Sequence, residues 1–267
     1  MLYRTLLALL LVLIVSGESV AAQDPQAVHA AIYCMKANPG KAPDFERLVL
    51  ETALNVAQVR IQAGQISGWF FARAVAPSGS DARCDYLGVT TTSGPPPAPA
   101  DTLAADLAKA GLKMTAPELR ARLDSLSSVV SHERAWCYAS FGEIAKGDYF
   151  QLNFMKPLPG KAAEFMQFEQ KVYMPLGAEA AKGGHPRKAW SAWRIHYPSG
   201  TGLPWDDFTV DVFRDWASIW KPQAFPAEVA AKVFPGKTIQ ELFQPSPTLR
   251  NLVRRELYVL VERTSAR

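Results

Sequence analysis

The sequence predicts an α+β fold made of two diverged copies of one β-α-β-β-α-β unit, and three observations carry that expectation. The first is an internal repeat, which decides the architecture wherever one is present. Met35, Lys36, Pro39, Gly40, Lys41, Ala42 and Phe45 recur without a gap as Met155, Lys156, Pro159, Gly160, Lys161, Ala162 and Phe165, an offset of 120 (155 − 35). Trp69, Arg73, Pro77-Ser78-Gly79, Asp85 and Val89 recur as Trp190, Arg194, Pro198-Ser199-Gly200, Asp206 and Val210 at an offset of 121 (190 − 69), which places one extra residue in the intervening helix. The second observation is a Pro-Gly-Lys turn in each copy, standing between an apolar run and a helix-periodic one; Gly accepts φ > 0 there and Pro removes a donor. The third is the Pro-Ser-Gly break between two runs rich in aromatic and β-branched residues, the pattern of a hairpin.

Each element follows from these signals in order. Residues 30–36 and 149–156 read as the opening strands. The helix after the first is marked by Phe45, Leu48, Val49, Ala53, Val56 and Val59 near helical spacing, and the helix after the second by Phe165, Phe168, Val172, Leu176 and Ala180. Residues 69–76 and 85–92 form the next two strands, with 189–197 and 206–213 as their counterparts. Residues 93–100, rich in Pro, are a loop. Thr115-Ala116-Pro117-Glu118 is a capping box with Pro just inside the helix start, so the second helical region of the first copy is two helices broken near Gly111. Apolar strands at 134–141 and 257–262 close the copies. The order is that of the ferredoxin-like split βαβ unit, with strands arranged 4-1-3-2.

Composition bounds the rest. The 267 residues are 48% hydrophobic and 20% charged, ordinary for a globular chain long enough to bury its own core. Arg4, the uncharged apolar run 6–15 and the small residues Val20-Ala21-Ala22 have the anatomy of a secretory signal peptide cut before Gln23. The apolar run is about half of the ~20 residues a membrane span needs, so no stable membrane insertion is expected after cleavage. The expected organisation is therefore signal peptide 1–22, first repeat 23–145 and second repeat 146–267, in an exported protein, periplasmic or secreted. A net charge of +4 without a run of basic residues argues against a nucleic-acid partner and allows a mild preference for anionic ligands. Cys34, Cys84 and Cys137 are odd in number and fit no metal or redox spacing. One disulfide plus one thiol, and three small buried residues, both fit; Cys34 and Cys84 lie at neighbouring strand ends in the 4-1-3-2 order.

The strand–Pro-Gly-Lys–helix opening, the Trp-bearing strand, the Pro-Ser-Gly hairpin and the Asp-starting third strand together resemble the dimeric α/β-barrel superfamily, over nearly the whole mature chain. The resemblance implies two ferredoxin-like units packed sheet to sheet as an intramolecular dimeric α/β-barrel. The superfamily includes cofactor-free monooxygenases, haem-handling enzymes, muconolactone isomerase-like proteins and exported proteins without an assigned role, so the resemblance specifies architecture rather than activity.

Candidate residues come from strand alternation, which puts Trp69, Phe71, Arg73 and Val75 on one face and Trp190, Ala192, Arg194 and His196 on the matching face of the second copy. An arginine repeated beside a tryptophan reads as an anion or carbonyl clamp inside the barrel, with Trp69, Arg73, Trp190 and Arg194 as ligand-binding residues. The structural alternative pairs Arg73 with Asp85 and Arg194 with Asp206. His196 stands where the first copy has Val75 and is a candidate base or ligand. His29 and His132 read as surface residues, and no histidine pair has zinc spacing. Asn153 is polar in an otherwise apolar strand and needs a partner if buried; the resemblance makes it a second catalytic candidate. No nucleophile elbow or P-loop is present. The Asp206, Asp207 and Asp211 cluster is split by alternation. Three functions fit: binding of a small apolar or weakly anionic molecule in an aromatic-lined pocket; a cofactor-free or haem-dependent monooxygenase-type enzyme using His196, Asn153 or Trp190; and an interaction module without a small-molecule site. The sequence names no cofactor.

Overall fold

The computed structural model describes residues 27–98, 101–200 and 202–266, so the expected signal peptide lies outside the described residues. The first half runs β1 (Val28–Ala37), α1 (Ala42–Gln62), β2 (Gly68–Ala76), β3 (Tyr86–Ser93), α2 (Leu103–Lys109), α3 (Ala116–Leu126) and β4 (Ser127–Phe141). The second repeats the plan with β5 (Tyr149–Pro157), α4 (Ala162–Phe168), a π-helical turn (Glu169–Tyr173), α5 (Met174–Lys182), β6 (Arg187–Tyr197) and β7 (Asp207–Phe213). Three short helices follow, α6 (Trp216–Ile219), α7 (Ala227–Val233) and α8 (Ile239–Phe243), before β8 (Arg250–Ser265). Gly40 and Gly160 turn the chain at φ 72° and 73°, as the Pro-Gly-Lys signals require. Thr115 and Glu118 form the expected capping box, and Gly111 (φ 70°) separates α2 from α3.

Within the halves the strands lie in the order β4-β1-β3-β2 and β8-β5-β7-β6. The two sheets join edge to edge, β2 on β8 and β4 on β6, all antiparallel, so eight strands close into one barrel with no open edge. Alternation sorts the side chains. Ala30 and Ile32 of β1, Ala72, Leu87, Phe150, Leu152, Phe208 and Leu260 point into the barrel. Phe45, Val49, Trp69, Phe71 and Tyr86 pack on the outer face of the first half under α1.

Two expectations need correction. The closing strands are longer than 134–141 and 257–262, because their polar first halves still pair with the ends of β1 and β5. The extra residue of the second copy is not in the helix. Gly64 and Gly184, which end the two helices at φ 68° and 83°, keep the offset of 120. Lys188 is the additional residue, a bulge between Arg187 and Ala189 where β6 pairs with β7.

One end of the barrel is filled and cross-linked. Cys34 and Cys84 form a disulfide with Cα atoms 5.2 Å apart, tying β1 to the β2–β3 connection. Beside it Arg83 donates to Glu133 Oε1 at 3.0 Å and lies 3.6 Å from Glu256 Oε2, with its guanidinium over the Phe154 ring. Glu256 also accepts from Arg254 (2.6 Å) and from the Tyr258 hydroxyl (2.8 Å). Glu133 belongs to the first half and Glu256 to the second, so one cation bridges the two.

Candidate functional site

The face carrying Trp69, Arg73, Trp190 and Arg194 turns toward the helices, not into the barrel, which corrects the clamp expected there. Alternation assigned the right residues to one face, but the apolar opposite face supplies the interior. Arg73 is half exposed and pairs with Glu46 of α1 at 2.9 Å rather than with Asp85, whose carboxylate accepts from the Ala37 backbone NH. Arg194 stands 3.7 Å from Asp207, while Asp206 takes Lys156. Trp69 stacks on Phe71 in the first-half core.

The two halves differ under their helices. In the first, Val49 and Ala53 of α1 pack over Phe71 and Tyr86. At equivalent positions the second half has Glu169, Tyr173, Ala192 and Asp207, and it adds Asp211 where the first has Thr90. Beside Glu169, Tyr173 and Asp211 lies a cavity of about 140 Å³. Asn153, Glu169, Tyr173, Arg187, Trp190 and Asp211 are among the residues lining it. Asn153 and Trp190 are thus brought together; His196 is not.

Asn153, Glu169, Arg187, Thr209 and Asp211 of this pocket are buried, while Arg255 at its rim is exposed. Arg187 and Asp211, 6% and 5% exposed, pair at 2.6 Å. Asn153 donates to Thr209 Oγ1 (3.1 Å) and Asp211 Oδ2 (3.0 Å) and accepts from Gln151 (2.7 Å) and Arg255 (3.2 Å), so its side chain is fully engaged. Burial, with Asp211 beside it, holds the Tyr173 pKa well above the usual phenol range. Glu169 is different. Its Oε2 has no hydrogen-bond partner, and burial, against a weaker pull from Arg250, pushes its pKa up to about 8. Asp207, behind the pocket, is likewise raised by burial to about 7. Glu169 and Tyr173 bound the π turn, a distortion frequent at functional sites. At neutral pH the pocket therefore presents a carboxylic acid able to donate, beside an Arg187–Asp211 ion pair.

His196 lies elsewhere, in a groove of about 280 Å³ on the barrel wall. Its ring stacks at 6.3 Å on His29 and 6.1 Å on Trp136, and burial, with His29 and Arg194 nearby, lowers its pKa. His29 is 7% exposed, not a surface residue. His132 is exposed and stacks on Tyr33. No group of three metal-ligating side chains occurs among the described residues. A haem does not fit the second-half pocket: 140 Å³ is too small for the macrocycle, no histidine or cysteine lines it, and Tyr173 is held protonated by its surroundings.

Glu169, Tyr173 and Arg187 were not singled out by sequence, and Asp211 stood out only as a member of the acidic cluster with Asp206 and Asp207. Their signal was the repeat itself, where an acid and a phenol replace Val49 and Ala53 at an offset of 120.

No family model and no curated protein matches the chain. Among solved structures it is similar to a "putative monooxygenase" from Lactobacillus acidophilus, at 7% identity and a TM-score of 0.53 over 90% of this chain and 96% of the other. A second, a "putative monooxygenase" from Fusobacterium nucleatum, matches at 8% identity and a TM-score of 0.52 over 90% and 94%. At such identities the likeness concerns the fold. With its closed antiparallel ring of eight strands and its outer helices, the chain has a dimeric α/β-barrel fold, both units carried on one polypeptide.

Proposed function

We propose that the chain is an enzyme that moves a proton on a small polar organic molecule in the second-half pocket. The observation that carries this reading is a pair of carboxyl groups in contrasting surroundings, Glu169 held protonated by burial and Asp211 paired with Arg187 at 2.6 Å. Environments that push two acids apart are how a site obtains a donor and a base at one pH. Asp211 accepts the proton of an acidic C–H or O–H; the Glu169 acid donates a hydrogen bond to the oxygen on which negative charge develops. Trp190 and Phe168 supply apolar walls. A carrier would need only such walls, and three buried carboxyl groups exceed that need. The monooxygenase-type variant of the reading draws support from the names of the fold neighbours and from the electron-rich anion such a proton transfer leaves. The reading keeps the protein exported, supported by the Cys34–Cys84 disulfide, a bond typical of oxidising compartments.

The test is oxygen uptake and product analysis with a panel of small phenols and 1,3-dicarbonyl compounds. Turnover by the wild type should fall by about 10²-fold or more in Glu169→Met, which keeps the bulk and removes the donor. Equal rates in the two proteins, or no turnover across the panel, would remove the assignment.

A further inference from the structure

The barrel interior holds a second space, larger than the first and of opposite character. It measures about 360 Å³, within the range of small-molecule pockets, and its walls are almost entirely apolar. Phe70, Val89, Phe150, Trp193, Phe208 and Val210 line it, drawn from both halves. Phe70, Val89, Trp193 and Val210 point inward from a closed ring of strands yet remain partly exposed, so their free surface faces this space. A well-packed core leaves no such surface. The ion network of Arg83 and the disulfide close the far end. At the near end the lining includes Val28 and Ser140, both exposed to solvent.

Charge at that mouth is specific. Arg263 of β8 pairs with Phe70 of β2, sets its guanidinium 5.5 Å from the Phe70 ring and donates to the Ile144 carbonyl and, at 3.1 Å, to Ser265. Phe70 and Ile144 both line the space. Five donors in a rigid fork exceed these two contacts, and no salt bridge engages Arg263 among the described residues. An inward arginine beside an aromatic wall is the clamp once expected of Arg73 and Arg194, on the opposite face of the strands.

We propose that the barrel interior is a binding site for an amphipathic carboxylate, with the apolar body held among Phe70, Trp193 and Phe208 and the acidic head on Arg263 at the mouth. The site is separate from the Glu169 pocket and shares no lining residue with it.

The experiment uses the disulfide-intact chain and two matched probes, decanoate and decanol, each displacing the fluorescent probe anilinonaphthalene sulfonate. Two variants accompany it: Arg263→Gln, which removes the head contact, and Val210→Phe, which fills the space. Circular dichroism and thermal melts check that each stays folded. Decanoate should bind saturably and lose about tenfold or more in Arg263→Gln, in line with a hydrogen bond to a charged group, while decanol is unaffected. Val210→Phe should abolish both, and Glu169→Gln neither, so this site and the acid–base pocket stand or fall separately. Unsaturable binding, equal affinity in wild type and Val210→Phe, or an Arg263→Gln effect no larger for decanoate than for decanol would overturn the proposal.

Discussion

The buried acid of the second half sets a measurable pH dependence on stability. Folded Glu169 keeps its proton up to about pH 8, whereas in the unfolded chain it titrates at the ordinary glutamate value of 4.5. Between those values the folded state binds more protons than the unfolded one, so stability is lost as pH rises, and the penalty is complete only above the folded pKa. Each unit of separation corresponds to about 1.4 kcal/mol, so the full window amounts to about 5 kcal/mol. Glu169→Gln keeps the shape of the neutral acid and cannot ionise. Its unfolding free energy should exceed that of the wild type by an amount that grows by about 1.4 kcal/mol per pH unit between pH 5 and 8. Asp207, raised to about 7, slopes the same way in both proteins and drops out of the difference to first order. Urea unfolding at four or five pH values, followed by tryptophan fluorescence, reads the effect directly. A difference that stays constant across that range would refute the neutral-acid assignment and, with it, the donor role of Glu169.

Two further outcomes follow from the closed end of the barrel. Replacing Cys34 and Cys84 together by alanine frees a loop with a sequence separation of 50 residues and should lower stability by about 4 kcal/mol on the chain-entropy account; a urea midpoint that reductant does not shift would contradict the bond. Arg83→Leu leaves Glu133 and Glu256, whose side chains are 8% and 2% exposed, without their shared cation, and should cost about 3–5 kcal/mol; an unchanged midpoint would show that the two acids find other partners.

Much of the architecture was legible because it rests on local rules repeated twice. The Pro-Gly-Lys turns, the capping box at Thr115 and the period-2 strands each report one physical constraint, and each was met. Alternation could say that Trp69 and Arg73 share a face but not which face looks inward, since Phe70, Ala72 and Ala74 opposite are also apolar. The direction is decided by α1 packing over Phe71, a long-range fact. The acid–base pocket was harder still. Asp207 and Asp211 were visible as a pair, yet Glu169 reaches them from a helix some forty residues earlier in sequence. Only a residue-by-residue comparison of the copies, Val49 with Glu169 and Ala53 with Tyr173, would have drawn attention to it.

Carrying both barrel halves on one chain has an evolutionary consequence. In a barrel built from two identical subunits every substitution occurs twice, and a change that burdens the fold burdens it in duplicate. Fusion breaks that symmetry. One half can keep the Phe45, Phe71 and Tyr86 packing that stabilises the ring, while the other accepts Glu169, Asp207 and Asp211 beneath its helix at a single copy's cost. Tandem duplication thus separates the duty of staying folded from the freedom to acquire chemistry, and the divergence between these halves lies where that freedom would be used.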